Sequence, residues 1–388
     1  MSQIADELAL KQCRANERRN KMDIKIGMIA PSKAGKTSLM TAIFEDMRAR
    51  LSGNADGVLY WADSRATQNA ITRAIAEFKA CVAGEGEFIV PQLRGTNDVN
   101  EYKFSMSIPN GEDVERLSID IMDYPGGLIG HSGFADSVQK HIDESCALLV
   151  PISTDMLMKW HETNGVTARR EIRVNAAARC ALDVDTVVYL INEWIARRAA
   201  NESPSQLIFV PLKCESYYDD NGGASDRSEE VNAAVEELYV RNLRVPAQFR
   251  KCLEVEVHAV DTYGVTELDR VELCEDPSGA DMLKSSFKKR GEGNELRTKG
   301  ALELLAAVIR YKMSVLAAQI GWKVSDLERK INERTLVGDI AVWFSGDKSK
   351  AEIGEEIRKH HRLYEAMNYV SSLADMTTAR HLIFNMGE

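Results

Sequence analysis

The sequence predicts an α/β fold, a three-layer arrangement in which helices cover both faces of a mainly parallel sheet. Six apolar or alternating segments of strand length recur along the 388-residue chain, and helical patterns separate most of them. A polar loop follows the first segment and leads into a helix. An Asn-Gly turn joins the second and third segments, which indicates one antiparallel strand. The predicted strands cover residues 24–29, 102–108, 115–122, 146–152, 206–212 and 254–260.

Segments outside this alternating core predict additions to it. Residues 1–22 are charged, contain no Gly or Pro, and predict an appended N-terminal helix. An insert at about 50–98 is longer than an ordinary connection, and it contains the strand-like run Val58–Trp61 and a helical pattern at Ala66–Val82. We therefore expect ordered structure in the insert.

The last third of the chain changes character. Asp276–Gly293 is polar and rich in Lys and Gly, which predicts a mobile loop. Apolar residues at helical spacing from Leu302 to Met313 predict a helix that packs on the core. Weaker helical patterns continue beyond it. The predicted organisation is an N-terminal helix at 1–22, an α/β domain at 23–320 and a helical C-terminal region at 321–388.

Composition excludes several classes of function. The formal net charge of -10 argues against a nucleic-acid-binding surface, since that surface depends on Lys and Arg. The seven cysteines are scattered without a CxxC pair, a pattern typical of reduced proteins. The N-terminus lacks the pattern of a secretory signal, and no apolar run is long enough to span a bilayer. These features predict a cytoplasmic protein without a membrane span.

The first strand and the helix after it flank a loop with the pattern of a phosphate-binding loop. This loop chemistry needs backbone N–H groups turned toward a triphosphate, a Lys that reaches the β- and γ-phosphates, and a hydroxyl ligand for Mg²⁺. Gly35, Lys36 and Thr37 supply these in order. Ala30 replaces the Gly that usually opens the pattern. The residues predicted to contact the nucleotide are Ser32, Lys33, Ala34, Gly35, Lys36, Thr37 and Ser38.

A second motif follows the third predicted strand, which ends at Asp123-Tyr124-Pro125-Gly126-Gly127. An Asp at this place can hold the shell of Mg²⁺, and a Gly three residues later can offer its N–H to the γ-phosphate. Asp123 is therefore a predicted metal ligand together with Thr37. Gly126 is the predicted sensor of the γ-phosphate.

Two strand ends further along predict contacts to a base. Lys213 and Glu215 follow the strand at 206–212, where an acid can accept hydrogen bonds from a base edge while the Lys stem packs on its plane. Leu212 and Glu215 depart from the Asn and Asp of the usual NKxD pattern. His258–Thr262 closes the last strand, where a loop backbone could touch the base.

Together these motifs resemble the P-loop GTPases of the translation-factor-related (TRAFAC) class, and within it the bacterial double-GTPase group. Residues 31–38, 123–127 and 211–215 carry the resemblance, which covers roughly residues 23–320. It implies a Mg²⁺-dependent GTP-binding protein that hydrolyses GTP and acts as a molecular switch on protein partners. It also implies a place in a bacterial multi-gene system of conflict or defence.

Departures from the family pattern bear on catalysis. Ras-like enzymes use a Gln after DxxG to orient the attacking water, and Gly127 has no side chain for this, so slow intrinsic hydrolysis is expected. Lys33 is a candidate for the missing activating charge, since some relatives place a cation or an activating residue there. Thr96 stands where the first switch threonine would close on Mg²⁺ and the γ-phosphate. The predicted catalytic residues are Lys33, Lys36, Thr96 and Gly126.

Two alternatives from other classes remain open on the sequence. An ATPase would share the phosphate and metal residues, and the departures at Leu212 and Glu215 keep this alternative open. A nucleotide-binding scaffold without turnover fits Gly127, and either form could be a homo-oligomer. Arg65, His131 and His141 are charged residues for which surface or packing roles are expected.

Overall fold

The structure is a computed structural model, and it describes the chain in segments separated by gaps. The described residues are 21–31, 34–51, 59–83, 87–88, 100–110, 113–124, 136–221, 225–290, 297–312, 314–315, 318 and 380–386. The strands are β1 (Lys21–Ile29), β2 (Leu59–Ala62), β3 (Glu87–Phe88), β4 (Asn100–Asn110), β5 (Asp113–Tyr124), β6 (Ala147–Ser153), β7 (Ser205–Leu212), β8 (Leu253–His258), β9 (Thr266–Glu275), β10 (Asp281–Lys289) and β11 (His381–Phe384).

Helices follow most of the parallel strands. They are α1 (Lys36–Leu51), α2 (Arg65–Val82), α3 (Asp136–Glu144), α4 (Thr154–Thr163), α5 (Arg169–Leu182), α6 (Val184–Ala200), α7 (Ser228–Leu238) and α8 (residues 301–312). None of the helices in the described part of the chain is both long and apolar enough to cross a membrane.

Eight of the strands form one mixed sheet in the order β11-β8-β7-β6-β1-β5-β4-β2. Strands β8, β7, β6, β1 and β5 are mutually parallel. Strand β4 pairs antiparallel with both β5 and β2, and β11 pairs antiparallel with β8. The α/β class and the mainly parallel sheet are therefore confirmed. Two strands, β4 and β11, oppose the common direction, where the sequence predicted one.

The central strands are continuous apolar runs because both of their faces are covered. All residues of β6 and β7 are buried, as expected for parallel strands between two helical layers. Alternate residues divide between two cores: Leu148 and Val150 face one, Ala147 and Leu149 the other. Residues of α4–α7 pack in the first core, and residues of α1 and α8 in the second. Helices therefore lie on both sheet faces.

The six strands predicted from the sequence all form, within a few residues of their expected bounds. The expected hairpin is present, since Asn110 pairs with Asp113 across the turn. The insert contributes β2 and α2, which confirms ordered structure there. His141 has the packing role expected of it: it is buried on α3, and its Nε2 lies 3.3 Å from the Ile26 carbonyl oxygen of β1.

Three expectations are wrong. Lys21 and Met22, assigned to the N-terminal helix, belong to β1; residues 1–20 lie outside the described part. The loop expected at Asp276–Gly293 contains β10, which pairs with β9 and β3 in a small antiparallel sheet. Ion pairs such as Lys288 with Glu267 keep this hairpin polar, so it lacks the apolar signal of a core strand.

The third concerns the C-terminus. Residues 381–384, expected in a helical region, form β11 at the edge of the large sheet. The strand is only four residues long, and its pattern is too short to be distinguished from a helix. The helical patterns predicted between 324 and 373 lie outside the described residues.

Candidate functional site

The carboxyl ends of the parallel strands meet at one edge of the sheet. After β5 the chain crosses over β1 to reach β6, so β1 lies where the strand order reverses. In open α/β sheets a ligand binds in the crevice outside the carboxyl ends at this reversal. The loop between β1 and α1 lies at that edge, and so do the carboxyl end of β5 and the residues that follow β6, β7 and β8.

The loop after β1 is compact and turns sharply into α1. The Ala34 N–H donates to the Pro31 carbonyl oxygen over 3.3 Å, and Gly35 has a φ of +102°, a conformation that L side chains rarely adopt. Lys36 begins the helix, is 8% exposed, and its Nζ donates to the Ala30 carbonyl oxygen over 3.3 Å. The first turn of α1 contains no acidic residue. A helix N-terminus of this kind favours negative charge beside it.

Asp123 lies next to this loop. In the parallel pairing of β5 with β1, Asp123 is opposite Met28, and Tyr124 is opposite Ile29. The backbone of Asp123 therefore stands at the same level of the sheet as the last residues before the loop. The other residues predicted around the triphosphate, namely Ser32, Lys33, Thr96, Gly126 and Gly127, lie outside the described residues.

Leu212 explains one departure from the family pattern. It ends β7 and is fully buried, and a Cβ built on Gly35 would lie 3.1 Å from its Cδ1. The Leu212 side chain, at the place of the usual Asn, therefore offers an apolar surface to the loop after β1.

Lys213 points into the protein. Its backbone is left-handed, with φ at 61°, and its Nζ lies 3.0 Å from Ser153 Oγ and 3.7 Å from Asp155 Oδ2. Asp155 is buried and also accepts from the hydroxyls of Ser153 and Ser285. Burial opposes its ionisation, but Lys213 and these hydroxyls outweigh burial and hold the pKa of Asp155 below its ordinary value. The positive charge of Lys213 is therefore paired with the negative charge of buried Asp155.

The Glu215 side chain also forms hydrogen bonds inside the protein. Its side chain is 2% exposed and its Oε1 accepts from the backbone N–H groups of Tyr263 and, over 3.0 Å, Gly264. Burial, with the charge of nearby Asp261, raises the pKa of Glu215 to about 7. The predicted base-contacting acid therefore holds the loop that follows β8. This is the loop whose backbone was itself expected to touch the base.

Tyr263 links the two predicted motifs. Its backbone N–H bonds Glu215, its hydroxyl lies 2.7 Å from Ser38 Oγ in the first turn of α1, and its ring stacks on Phe78 of α2 at 4.9 Å between centroids. The rings are nearly parallel, with an interplanar angle of 5°. The loop after β8, helix α1 and helix α2 of the insert therefore all contact one aromatic side chain, that of Tyr263.

Arg380, which directly precedes β11, is buried and pairs with two aspartates. Arg380 donates to both carboxylate oxygens of Asp261 over 3.1 and 2.8 Å, and to both of Asp220 over 2.8 and 2.6 Å. Its guanidinium also lies 4.6 Å from the ring centroid of Tyr218. Burial opposes the ionisation of Asp220, but Arg380 and Lys299 outweigh it and lower its pKa to about 2.

The sequence analysis did not anticipate Asp155, Tyr263 or Arg380. Asp155 had a detectable signal, since Ser153-Thr154-Asp155 ends a buried strand and opens a helix. Tyr263 and Arg380 have no such signal, because their partners lie far away in sequence.

A scan against protein-family models found no match, and a search of curated proteins found no similar sequence.

Proposed function

We propose that the chain binds a purine nucleoside triphosphate with Mg²⁺ at the loop between β1 and α1, and hydrolyses it slowly. The observation that carries this proposal is the placement of the loop: Gly35 and Lys36 open α1 at the strand-order reversal, and Asp123 lies on the adjacent parallel strand. This combination supplies N–H donors, an ammonium and a carboxylate beside one crevice.

Each residue has a defined task in the proposal. The Lys36 ammonium neutralises charge on the β- and γ-phosphates, and the Gly126 N–H meets the γ-phosphate. The fit for Mg²⁺ rests on two hydroxyls, from Thr37 and Thr96, and one carboxylate, from Asp123, which are the hard oxygen ligands that this ion prefers. When bound, Mg²⁺ supplies charge neutralisation at the phosphate oxygens. Because Gly127 cannot orient water, turnover depends on another group, for which Lys33 is the first candidate.

GTP is the nucleotide we propose, because Lys213 and Glu215 follow β7 where a guanine-recognising motif would stand. The function that fits is a switch that acts on protein partners, in which segments around Thr96 and Gly126 respond to the γ-phosphate. A role in a bacterial defence or conflict system, and self-association, are parts of the same proposal.

A second candidate, an ATPase, is favoured by one specific observation. The Glu215 carboxylate is buried against two backbone N–H groups, and the Lys213 ammonium is paired with Asp155. If these contacts persist with nucleotide bound, neither side chain can select guanine. Base selection would then be weak or would come from elsewhere.

Binding of GTP and ATP to the full chain with Mg²⁺, measured by calorimetry, tests the phosphate site. Lys36→Ala is expected to abolish binding of both nucleotides. Lys25→Ala is the matched control, because Lys25 lies on β1, the strand that leads into the loop, but forms an exposed ion pair with Glu144, and its loss should leave binding unchanged. Unaltered binding in Lys36→Ala would overturn the proposal.

Base selection is tested separately with Glu215→Gln, which keeps the side-chain volume. If Glu215 selects guanine, this change lowers the GTP-over-ATP preference by at least about tenfold and leaves ATP affinity unchanged. Equal affinity for both nucleotides in the wild type and in the variant would show that Glu215 does not select the base, and would leave the ATPase and the scaffold as the alternatives.

Turnover is tested by phosphate release under saturating nucleotide. Lys33→Ala should lower the release rate more than the affinity, since its charge is needed where the transition state develops negative charge. Bound nucleotide without phosphate release in the wild type would identify a scaffold. Nucleotide-dependent protection of residues 85–100 in hydrogen exchange would locate the switch at Thr96.

A further inference from the structure

A second cluster of polar side chains lies at the opposite end of the sheet from β2, between β8 and β11. Its members are Glu256 and His258 on β8 and His381 on β11. His381 is paired directly with His258 in the antiparallel register, and Glu256 lies two residues away, so all three side chains are on one face. Among the described residues this is the one group of three or more such side chains close enough to share an ion.

The three atoms that could bind a metal ion lie close together. His258 Nε2 is 2.7 Å, and His381 Nε2 3.0 Å, from the same atom, Glu256 Oε2. The two imidazole rings stack with centroids 4.3 Å apart, which directs both Nε2 atoms to the same side. All three donor atoms lie within 4.8 Å of one another.

These distances match a tetrahedral site after a small adjustment. Zinc binds imidazole nitrogen at about 2.0–2.1 Å and carboxylate oxygen at about 2.0–2.2 Å, so its ligand atoms stand roughly 3.3 Å apart. The two separations between an imidazole nitrogen and Glu256 Oε2 are a few tenths of an ångström shorter, as hydrogen bonds are. To admit an ion, the side chains would therefore have to separate by a few tenths of an ångström.

Titratable groups surround the cluster on β8 and α8. Burial lowers the pKa of His258. Burial opposes the ionisation of Glu256, but the two histidines outweigh burial and hold its pKa well below its ordinary range. Two further titratable residues lie nearby, Glu254 of β8 and Arg310 of α8. The pKa of Glu254 is raised to about 8 by its hydrogen bond to Glu256, by burial and by repulsion from the Glu256 charge.

A neighbouring amide fixes the carboxylate. Gln206 on β7 is fully buried, and its Nε2 donates to Glu256 Oε1 over 2.6 Å, which leaves Oε2 to face the histidines. Hydrogen bonds of this kind orient the ligands of metal sites. The Gln206 Oε1 has no hydrogen-bond partner among the described residues.

We propose that Glu256, His258 and His381 bind a divalent transition-metal ion, Zn²⁺ by the chemistry of the ligand set, and that the ion fastens β11 to the edge of the sheet. Two imidazoles and a carboxylate form a common zinc set, with a fourth position left for water. The ion replaces two hydrogen bonds with three coordinate bonds that cross between β8 and β11. This site is independent of the nucleotide site.

The full chain without a polyhistidine tag, free of nucleotide, is the material for the test. Zinc content is measured after dialysis, and Co²⁺ is titrated while its ligand-field absorption is followed, since this absorption is strong only in four-coordinate sites. The wild type is expected to bind one equivalent and to melt at a higher temperature with Zn²⁺. A wild type that neither binds the ion nor gains thermal stability from it carries a hydrogen-bonded triad alone, and the proposal fails.

Variants assign the ion to these residues. His381→Ala removes a ligand from an edge strand and should weaken binding by well over about tenfold, and Gln206→Leu should weaken it by about 10–100-fold through loss of orientation. The control is the double change His360→Ala with His361→Ala, which removes two histidines that are neighbours in sequence and are not part of the proposed site. Equal binding in wild type and His381→Ala, or loss in the control, would overturn the assignment.

Discussion

Arg380 gives the sharpest test of how the C-terminus is held. Arg380→Ala removes four hydrogen bonds at once, two to Asp261 and two to Asp220. Asp220 keeps Lys299, whose Nζ lies 2.9 Å away, and is itself partly exposed. Asp261 is 0% exposed. The main loss is therefore the uncompensated charge of Asp261.

Breaking a buried ion pair by removing one partner destabilises a protein by about 3–5 kcal/mol. We expect Arg380→Ala to fall within this range. Adding Asp261→Asn to Arg380→Ala should recover about 1–3 kcal/mol, because a neutral amide is less costly to bury than a carboxylate that has lost its arginine. Arg380→Lys keeps the charge but loses the planar fork, so it should fall between wild type and Arg380→Ala.

The measurement is urea unfolding at pH 7, followed by the fluorescence of tryptophans such as the fully buried Trp194. Arg173→Ala is the matched control, because Arg173 makes the same two-bond contact to Asp281 but does so at the surface. Its urea midpoint should stay close to that of the wild type. If Arg380→Ala loses no more stability than Arg173→Ala, the buried placement of Arg380 and the docking of β11 are refuted.

The remaining predictions concern the crevice. Gly35→Ala should weaken nucleotide binding and reduce stability by about 1–2 kcal/mol, because the left-handed backbone is strained by a Cβ that also meets Leu212; binding and urea midpoints equal to wild type would contradict this. The pKa of Glu215 is raised in the folded state to about 7 from 4.5, so the folded protein binds more protons and its stability should fall as pH rises between these values; Glu215→Gln should flatten this part of the stability–pH curve, and an unchanged slope would count against it. A double-mutant cycle of Ser38→Ala with Tyr263→Phe should give a coupling free energy of about 1 kcal/mol, whereas zero coupling would show that the two hydroxyls do not interact in solution.

Local patterns predicted the large sheet well. β6 and β7 are uninterrupted apolar runs, because both faces of each strand meet helices, and this signal needs no knowledge of the rest of the chain. The hairpin of β4 and β5 followed from its Asn-Gly turn. The small sheet was missed because β9 and β10 are half-exposed and carry charged pairs, so their composition resembles that of a loop.

For the candidate site, too, some features could be predicted from the sequence and others could not. The sequence identified the loop at 30–37 and the acid at the end of β5, since strand, loop and helix follow one another directly. It did not show that the Glu215 carboxylate is bonded to Tyr263 and Gly264, which are 48 and 49 residues away. A residue type at a strand end suggests a task, but the neighbours that occupy its polar atoms decide whether it is open to a ligand.

The sequence by itself determined the α/β class, the positions of the core strands along the chain and the presence of a polar loop between β1 and α1, because apolar periodicity and turn chemistry act between near neighbours. Only the tertiary structure decided that β11 joins β8, that Arg380 reaches Asp261 across 119 positions of sequence, and that His381 meets Glu256 across 125. Contacts at such separations depend on the path of the whole chain. No local pattern records that path.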